Sequence, residues 1–413
     1  MIDIIRRYRE LPTRNDKKLA WLFGTLLIVT YIPIVQYIFR GYAFALLSVF
    51  CLIVSLFSSD SPLPKVRYLL ISVFIFIVLS TSGASLSDMS MKDAILYVYV
   101  YILFFLPLFM ISYLLFAKRY QLLALLALIA LAAIMITAIT TFVGLNTFPE
   151  ASRLLATGYT GEDFAYTKYN IGGFEYIYSL VLVVPMLAYL IRNKLYSIVS
   201  GICFIILSIL LVVKSQYTTA SLLLFPSIVI VSVVKYVTKY SLAIALLLMI
   251  GITLFGRTLL HSSFITLASV NPYTVREHFI GLAGVIESGS TETLNATVSG
   301  RKNAYDTSIT SFLRSPIIGN LGSVEKVSGG HSTFLDTLAA TGLLGGCLLF
   351  LILRYYYSRI LLSFRSSRAF GYALLSFILF LILSVLNPTT RTGMIVFFVI
   401  PATAFITKRE GSI

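Results

Sequence analysis

Residues 329–345, which read GGHSTFLDTLAATGLLG, combine side chains that could do chemistry with the start of an apolar segment. His331 carries an imidazole, whose ordinary pKa of about 6.5 lets it accept a proton from a hydroxyl near neutral pH. Asp336 follows within the segment, and an ionisable side chain in a membrane span is costly enough to indicate a functional site. Gly342 and Gly345 would permit close helix packing. Two alternatives stay open: His331 could simply cap or line the start of the span, and Asp336 could be the structural partner of a buried arginine or hydroxyl.

A second polar stretch, residues 299–319, reads SGRKNAYDTSITSFLRSPIIG. Its apolar spacing predicts a helix over residues 303–314 that ends before Pro316, because proline cannot continue a helix. Arg301 would stand at the start of this helix, where a cation is electrostatically unfavourable. That position indicates a ligand for Arg301 rather than a role in helix stability. The apolar residues predicted to share one face of the helix are Ala304, Ile309, Phe312 and Leu313.

The elements that position these stretches must be membrane-spanning helices. Of the 413 residues, 58% are hydrophobic and only 12% are charged, and the mean hydropathy is +0.92, which no soluble domain could bury. A span needs roughly 20 mostly apolar residues, and the sequence predicts about twelve spans in one polytopic domain over residues 1–413. The predicted fold class is therefore an all-α membrane protein. The predicted spans are 19–39, 42–57, 68–82, 94–116, 121–143, 174–191, 197–213, 218–234, 240–256, 333–353, 369–386 and 392–407.

The net charge of +15 is distributed unevenly along the chain. With the N-terminus in the cytoplasm, the predicted cytoplasmic segments hold the whole excess of Lys and Arg, and the outer segments are balanced. Because Lys and Arg concentrate in cytoplasmic loops, the charge indicates membrane topology and not nucleic-acid binding. The first 18 residues are polar and basic with no short apolar core, which predicts an uncleaved N-terminus. Both termini are expected to be cytoplasmic.

Two predicted outer segments, residues 144–173 and 257–332, are too long to be simple connections. Long loops in compact proteins are usually functional or disordered. The larger loop contains the predicted helix and ends at His331, so the candidate chemistry is expected on the outer face of the membrane. His261 and His278 lie in the same loop but lack a comparable sequence context.

Together these motifs resemble the bacterial O-antigen polymerase and O-antigen ligase superfamily. The signature of that family is a histidine, a small polar residue and a leucine, with a Gly-x-x-Gly pair about ten residues later, and residues 331–345 are similar to it. Residues 300–319 look like the family's Gly-Arg helix that ends in Pro-x-x-Gly. A weaker match is SRL at residues 152–154, which leads through a glycine-rich stretch into the sixth span. The resemblance covers about residues 144–350.

The resemblance implies a glycosyltransferase C-type fold that transfers a glycan from an undecaprenyl-pyrophosphate carrier at the periplasmic face of the inner membrane, with no metal or other cofactor. An acceptor hydroxyl would attack the anomeric carbon, with inversion, while the pyrophosphate leaves. His331 would be the general base, assisted by Asp336. Arg301 would bind the pyrophosphate, since the planar guanidinium matches phosphate oxygens. Exposed loop charges are often merely solvated. The further candidates for pyrophosphate binding are Arg153, Lys214, Arg314 and Arg391.

One departure from the family distinguishes its two branches. Ligases carry an arginine at the outer end of the span that begins here near Thr218, where residues 214–222 read KSQYTTASL without an arginine. The departure favours a Wzy-type polymerase, which joins lipid-linked repeat units into O-antigen or capsular polysaccharide. Its partners would be the lipid-linked donor and acceptor glycans, membrane lipid and a chain-length regulator protein. The alternatives are an O-antigen ligase, which transfers the glycan to lipid A-core, and a lipid-linked oligosaccharide flippase, which needs no base.

Overall fold

The structure, a computed structural model, describes residues 2–39, 42–57, 63–83, 91–148, 169–195, 197–215, 217–233, 296–320, 331–389 and 392–406, with isolated positions at 151, 265, 266, 269, 276 and 280. Every regular element within these residues is a helix. The helix Thr333–Tyr355, which is α12 below, continues as a π-helix, Tyr356–Ile360, and a 3₁₀-helix, Leu361–Phe364; a second π-helix covers Ile395–Val399. The α-helices are α1 (Ile2–Arg9), α2 (Arg14–Tyr31), α3 (Pro33–Ile38), α4 (Tyr42–Phe57), α5 (Leu63–Gly83), α6 (Met91–Phe116), α7 (Tyr120–Thr147), α8 (Phe174–Arg192), α9 (Ile198–Lys214), α10 (Thr218–Val233), α11 (Ala296–Arg314), α12 (Thr333–Tyr355), α13 (Ala369–Leu386) and α14 (Ile400–Thr403).

Five of the described helical segments are long and apolar enough to cross a membrane, and four further apolar helices are shorter. Each of them overlaps a predicted span, so the prediction of an all-α membrane protein is confirmed. The total of about twelve spans stays a prediction: residues 240–256 lie outside the described residues, and the predicted spans 19–39 and 392–407 are not among these nine helices. The long segments are Val98–Phe116, Tyr120–Thr147, Phe174–Arg192, Thr333–Phe364 and Ala369–Leu386; the shorter ones are Ala43–Phe57, Val66–Thr81, Ile198–Lys214 and Thr219–Ser232.

The predicted first span, 19–39, is wrong as one continuous helix. Helix α2 ends at Tyr31, Ile32 is extended with φ −103° and ψ 106°, and Pro33 opens the short helix α3. A proline restricts the preceding residue to extended conformations, and its own fixed φ suits the first turn of a helix. The sequence therefore contained the break, which hydropathy alone does not register.

Helix α8 lies at the centre of the described helices. All its residues from Tyr176 to Leu190 are buried, and it packs against α9, α10 and α13. A helix that is apolar all round has no polar face to present and is buried on every side. The candidate site lies beyond one end of this central helix.

The basic segments predicted to face the cytoplasm meet at one end of the fold, here called the basic end. Asp16 at the start of α2 forms a buried ion pair with Arg119 in the α6–α7 connection. At the same end the Arg7 guanidinium donates a hydrogen bond to the carbonyl oxygen of Ile406, 3.2 Å away. The contacts therefore agree with the predicted grouping of these segments, although which side of a membrane they face stays a prediction.

The segments predicted to be outer loops meet at the opposite end. The Thr389 amide donates to Thr333 Oγ1 over 2.8 Å, which joins the segment after α13 to the start of α12. The ammonium group of Lys214, at the end of α9, donates to the side-chain amide oxygen of Asn146, at the end of α7. His331 precedes α12 at this same end.

Candidate functional site

The start of α12 is fixed by a reciprocal pair of hydrogen bonds. The hydroxyl of Ser332, the N-cap residue, accepts the Leu335 amide at 3.1 Å, and Oδ2 of Asp336 accepts the Ser332 amide at 3.1 Å. This is the logic of a capping box, with the carboxylate one residue further along the helix. It holds the backbone next to His331, whose side chain is exposed.

The second carboxylate oxygen of Asp336, Oδ1, binds α11, the helix in the predicted larger outer loop. Ser308 of α11 is buried, and its hydroxyl donates to Oδ1 of Asp336 over 2.7 Å. The alternative in which Asp336 is the partner of a buried hydroxyl is therefore confirmed. Its assistance to His331 stays a prediction, because within the described segment Asp336 bonds the backbone amide of Ser332, the residue after His331, and not the imidazole. Asp336 thus ties the Gly-Arg helix to the helix that follows the histidine.

A backbone connection joins the same two helices lower down. The Leu343 amide donates to the Pro316 carbonyl at 2.8 Å, and the Leu344 amide donates to the Ile317 carbonyl at 3.0 Å. These amides would otherwise bond within α12, whose helical conformation breaks at Gly342 with φ 61° and ψ −160°. Interruption of the intrahelical hydrogen bonds accounts for such a kink. We call this connection between residues 316–320 and 339–344 the backbone interlock.

Glycines are required on both sides of the backbone interlock. A Cβ at Gly342 would lie 2.5 Å from the Ile317 carbonyl and from the Gly319 nitrogen, and a Cβ at Gly319 would lie 2.5 Å from the Ala340 carbonyl. Both glycines have positive φ, which is costly for other residues. The predicted close helix packing at Gly342 is wrong in its partner, because the close neighbour is the backbone of residues 317–319 and not another helix. At Gly345 an added Cβ would instead meet its own helix.

The segment that follows α13 forms a third side of the site. The Ser332 hydroxyl lies 3.3 Å from the Ser384 carbonyl, to which it donates, and the hydroxyls of Ser384 and Thr389 are 2.6 Å apart. Since Thr389 also binds Thr333, the residues directly after His331 are held from two directions. Residues 384–389 therefore belong to the site together with the two motif segments.

Asn387 is a residue of the site that was not predicted from the sequence. It is buried, its Oδ1 accepts the Tyr178 hydroxyl at 2.9 Å, and its Nδ2 has no partner among the described residues. The Tyr178 ring lies 6.1 Å from that of Tyr217, and the Tyr305 hydroxyl of α11 donates to the Leu386 carbonyl at 2.7 Å. A polar residue directly after an apolar helix and before a proline was the available signal for Asn387.

Two expectations about α11 are wrong. The helix begins at Ala296 and not at residue 303, so Arg301 lies in its second turn and the unfavourable start position no longer distinguishes it. The predicted apolar face is not the buried one, because Ile309 and Leu313 are 41% and 68% exposed while Ser308 is 1% exposed. The buried side of α11 is set by the hydroxyl that Asp336 binds, which a hydropathy pattern cannot register.

The other predicted phosphate ligands are placed unequally. Arg314 is exposed in the last turn of α11, and Lys214 closes α9, both positions where a cation stabilises a helix end. The Lys214 ammonium also lies 4.7 Å from the centre of the Phe142 ring. The side chain of Arg301 and the residues Arg153, Arg391, His261 and His278 lie outside the described residues.

The described arrangement leaves an exposed imidazole next to the hydrogen-bonded Ser332, beside a polar cluster and a helix that carries an arginine. Such a group can take a proton from a hydroxyl that approaches from outside the protein. No protein-family model, no curated protein and no solved structure matches this chain.

Proposed function

We propose that this chain is a polysaccharide polymerase of the O-antigen polymerase type. It would transfer a growing glycan from its undecaprenyl-pyrophosphate carrier to the non-reducing end of a new lipid-linked repeat unit. One observation carries the proposal: residues 300–319 and 331–345, the two segments with the family pattern, are held together by the Ser308–Asp336 hydrogen bond and by the backbone interlock.

In the proposed reaction His331 accepts the proton of the acceptor hydroxyl. That oxygen forms a bond to the anomeric carbon of the donor sugar, and the bond from this carbon to the pyrophosphate oxygen breaks with inversion. The electron pair and the negative charge leave with the carrier pyrophosphate. Arg301 would meet that charge, with help from Arg153 or Lys214, because guanidinium and ammonium groups bind phosphate oxygens strongly.

Asp336 acts in this proposal as a positioning residue. Its carboxylate accepts the Ser332 amide and the Ser308 hydroxyl, so it orients the backbone of His331 and the helix of Arg301 at once. The exposed side chain of His331 suits an acceptor sugar that arrives from the aqueous side. By the distribution of Lys and Arg, the basic end would be cytoplasmic and the site periplasmic, within a glycosyltransferase C-type fold.

Complementation of a strain that lacks the gene tests the proposal. Surface polysaccharide from the wild type should run as a ladder on a silver-stained gel, and the deletion strain should show core plus one repeat unit. His331→Ala and Arg301→Ala should resemble the deletion strain. Lys302→Ala changes the adjacent cation on the same helix and should leave the ladder unchanged. The amount of each variant in the membrane fraction is compared by immunoblot.

The deletion strain also separates the other activities. Bare core with accumulation of long lipid-linked polymer would identify a ligase and reject polymerisation. A full ladder from His331→Ala at normal protein level would reject the proposed base, because a transporter needs no proton acceptor at this position.

A further inference from the structure

A cavity of about 180 Å³ lies at the basic end, away from the candidate site. The end of α6, the start of α7, the extension of α12 and the segment after α14 enclose it. Its polar lining includes Arg359, Tyr355, Ser112 and Ser363, and its apolar lining includes Phe116 and Phe405. Arg359 follows Thr333 by 26 residues, which is roughly 40 Å of helical path, so the cavity belongs to the opposite end of this span.

The wall that carries Arg359 has an irregular backbone. Residues Tyr356–Ile360 form a π-helix and Leu361–Phe364 a 3₁₀-helix. The Tyr356 hydroxyl donates over 2.6 Å to the carbonyl of Val396, which lies in the second π-helix. π-Helical turns are rare and occur frequently at functional sites. The first π-helix contributes Arg359 and Ile360 to the cavity and is bonded to the second, so this wall of the cavity has a geometry typical of functional sites.

The chemistry of the lining fits a phosphate group attached to a hydrocarbon chain. Arg359 is exposed, and no ion pair or hydrogen bond of its guanidinium is seen within the described part of the chain. The hydroxyls of Ser112 and Tyr355 lie 3.4 Å apart beside it, and the described residues that line the cavity include no carboxylate. A guanidinium with neighbouring hydroxyl donors binds phosphate oxygens. Phe116 and Phe405 offer the apolar surface that a free inorganic anion would not use.

The surroundings extend the positive potential. An adjoining cavity of about 240 Å³ shares Tyr120 and is lined by the exposed Lys118 and by the ion pair of Arg119 with Asp16, so its lining carries one net positive charge. Phe116, at the end of an apolar helix, is 37% exposed, so the first cavity opens at the surface of the described helices. Basic pockets between spans at a membrane surface bind anionic head groups.

We propose that this cavity binds an anionic phospholipid of the leaflet at the basic end. The phosphate would lie at Arg359 beside the hydroxyls of Tyr355 and Ser112, and an acyl chain would lie against Phe116 and Phe405. The site is separate from the proposed catalytic site and does not depend on the reaction assigned there. Because the lipid would bind only the folded chain, it would stabilise the folded state, which includes the contact of the two π-helices.

Lipid-dependent thermal stability of the purified full chain in detergent tests this site. Addition of phosphatidylglycerol to the wild-type protein should raise its unfolding temperature, while addition of phosphatidylcholine or of inorganic phosphate should not. Arg359→Gln should weaken the apparent affinity for phosphatidylglycerol by about tenfold or more, since it removes a charged hydrogen-bond partner. Arg365→Gln removes an exposed arginine of the same end that does not line the cavity and should behave as the wild type.

A second variant tests the same site independently, in case Arg359→Gln is unstable. Ser363→Phe fills the cavity without changing a charge, and it should weaken the phosphatidylglycerol effect as well. Equal lipid responses in Arg359→Gln and Arg365→Gln would overturn the site. An equal rise with phosphatidylcholine would overturn recognition of the charge, and an equal rise with inorganic phosphate would assign the cavity to a free anion rather than a lipid.

Discussion

The hydrogen bond from Ser308 to Asp336 tests how the loop helix is held to the span. Ser308→Ala removes one donor from a half-buried carboxylate, and a hydrogen bond to a charged group contributes about 1.5–3 kcal/mol. Asp336→Ala removes this bond and the one from the Ser332 amide, so we expect about twice that loss. The double variant should lose little more than Asp336→Ala alone, which gives a coupling free energy of about 1.5–3 kcal/mol.

The measurement is reversible unfolding of the purified chain in mixed detergent micelles. Thr307→Ala is the matched control, because this exposed hydroxyl of the same helix bonds only its own turn, 2.8 Å from the Asn303 carbonyl. Its free energy of unfolding should stay within about 0.5 kcal/mol of the wild type. If the losses from Ser308→Ala and Asp336→Ala simply add in the double variant, the two residues are not coupled and the joint is misread.

The polysaccharide ladder separates positioning by Asp336 from direct assistance to the base. Asp336→Asn keeps an oxygen that can accept the Ser308 hydroxyl but loses the acceptor for the Ser332 amide. A positioning role therefore predicts a weakened ladder from Ser308→Ala and a partial recovery in Asp336→Asn relative to Asp336→Ala. Equal inactivity of Asp336→Asn and Asp336→Ala, with a normal ladder from Ser308→Ala, would instead assign Asp336 to the proton transfer.

Two further changes test the glycine contact and the basic end. Gly342→Ala should lower the free energy of unfolding by about 2 kcal/mol or more and abolish the ladder, because the residue has positive φ and a Cβ would meet backbone at 2.5 Å. Gly346→Ala is the control: its Cβ would meet only the end of a leucine side chain, so the variant should be nearly neutral in thermal unfolding. Asp16→Asn should cost about 3–5 kcal/mol in the same measurement, because it removes the carboxylate charge from a largely buried ion pair with Arg119; a loss below 1 kcal/mol would show that water already reaches this pair.

The end of α11, which depends on its own residues, was predicted correctly from the sequence. The apolar spacing and Pro316 predicted a helix that ends near Arg314, and the structure ends it there. The start at Ala296 was missed, because residues 296–300 carry no apolar pattern, although Asn295 directly before them is of a type favoured at the start of helices. The buried face was also missed, because Ser308 is buried against Asp336, which accepts its hydrogen bond and lies 28 positions away in the sequence. Local propensity describes such a helix but not the partner that orients it.

The backbone interlock shows the same division between local and tertiary information. Gly342 was recognised as a site of close packing, which follows from the size of glycine alone. Its partner could not be predicted, because that requires a second glycine, Gly319, to adopt positive φ opposite it. In the same way Asn387 was visible as a polar residue after an apolar helix, while its contact with Tyr178 depends on how two distant spans pack.

The hydrogen bonds of the backbone interlock also restrict how a substrate could reach His331. Separating α11 from α12 would break the bonds of Leu343 to Pro316 and of Leu344 to Ile317. Those amides would then lack partners unless Gly342 also regained a helical conformation and let them bond within α12, and an unsatisfied buried amide is costly. A large outward swing of α11 therefore requires a change in the backbone of α12, which movement of a surface loop held by side chains does not. We expect the site to be preformed at this joint, with donor and acceptor approaching from the sides of α12 that α11 does not cover.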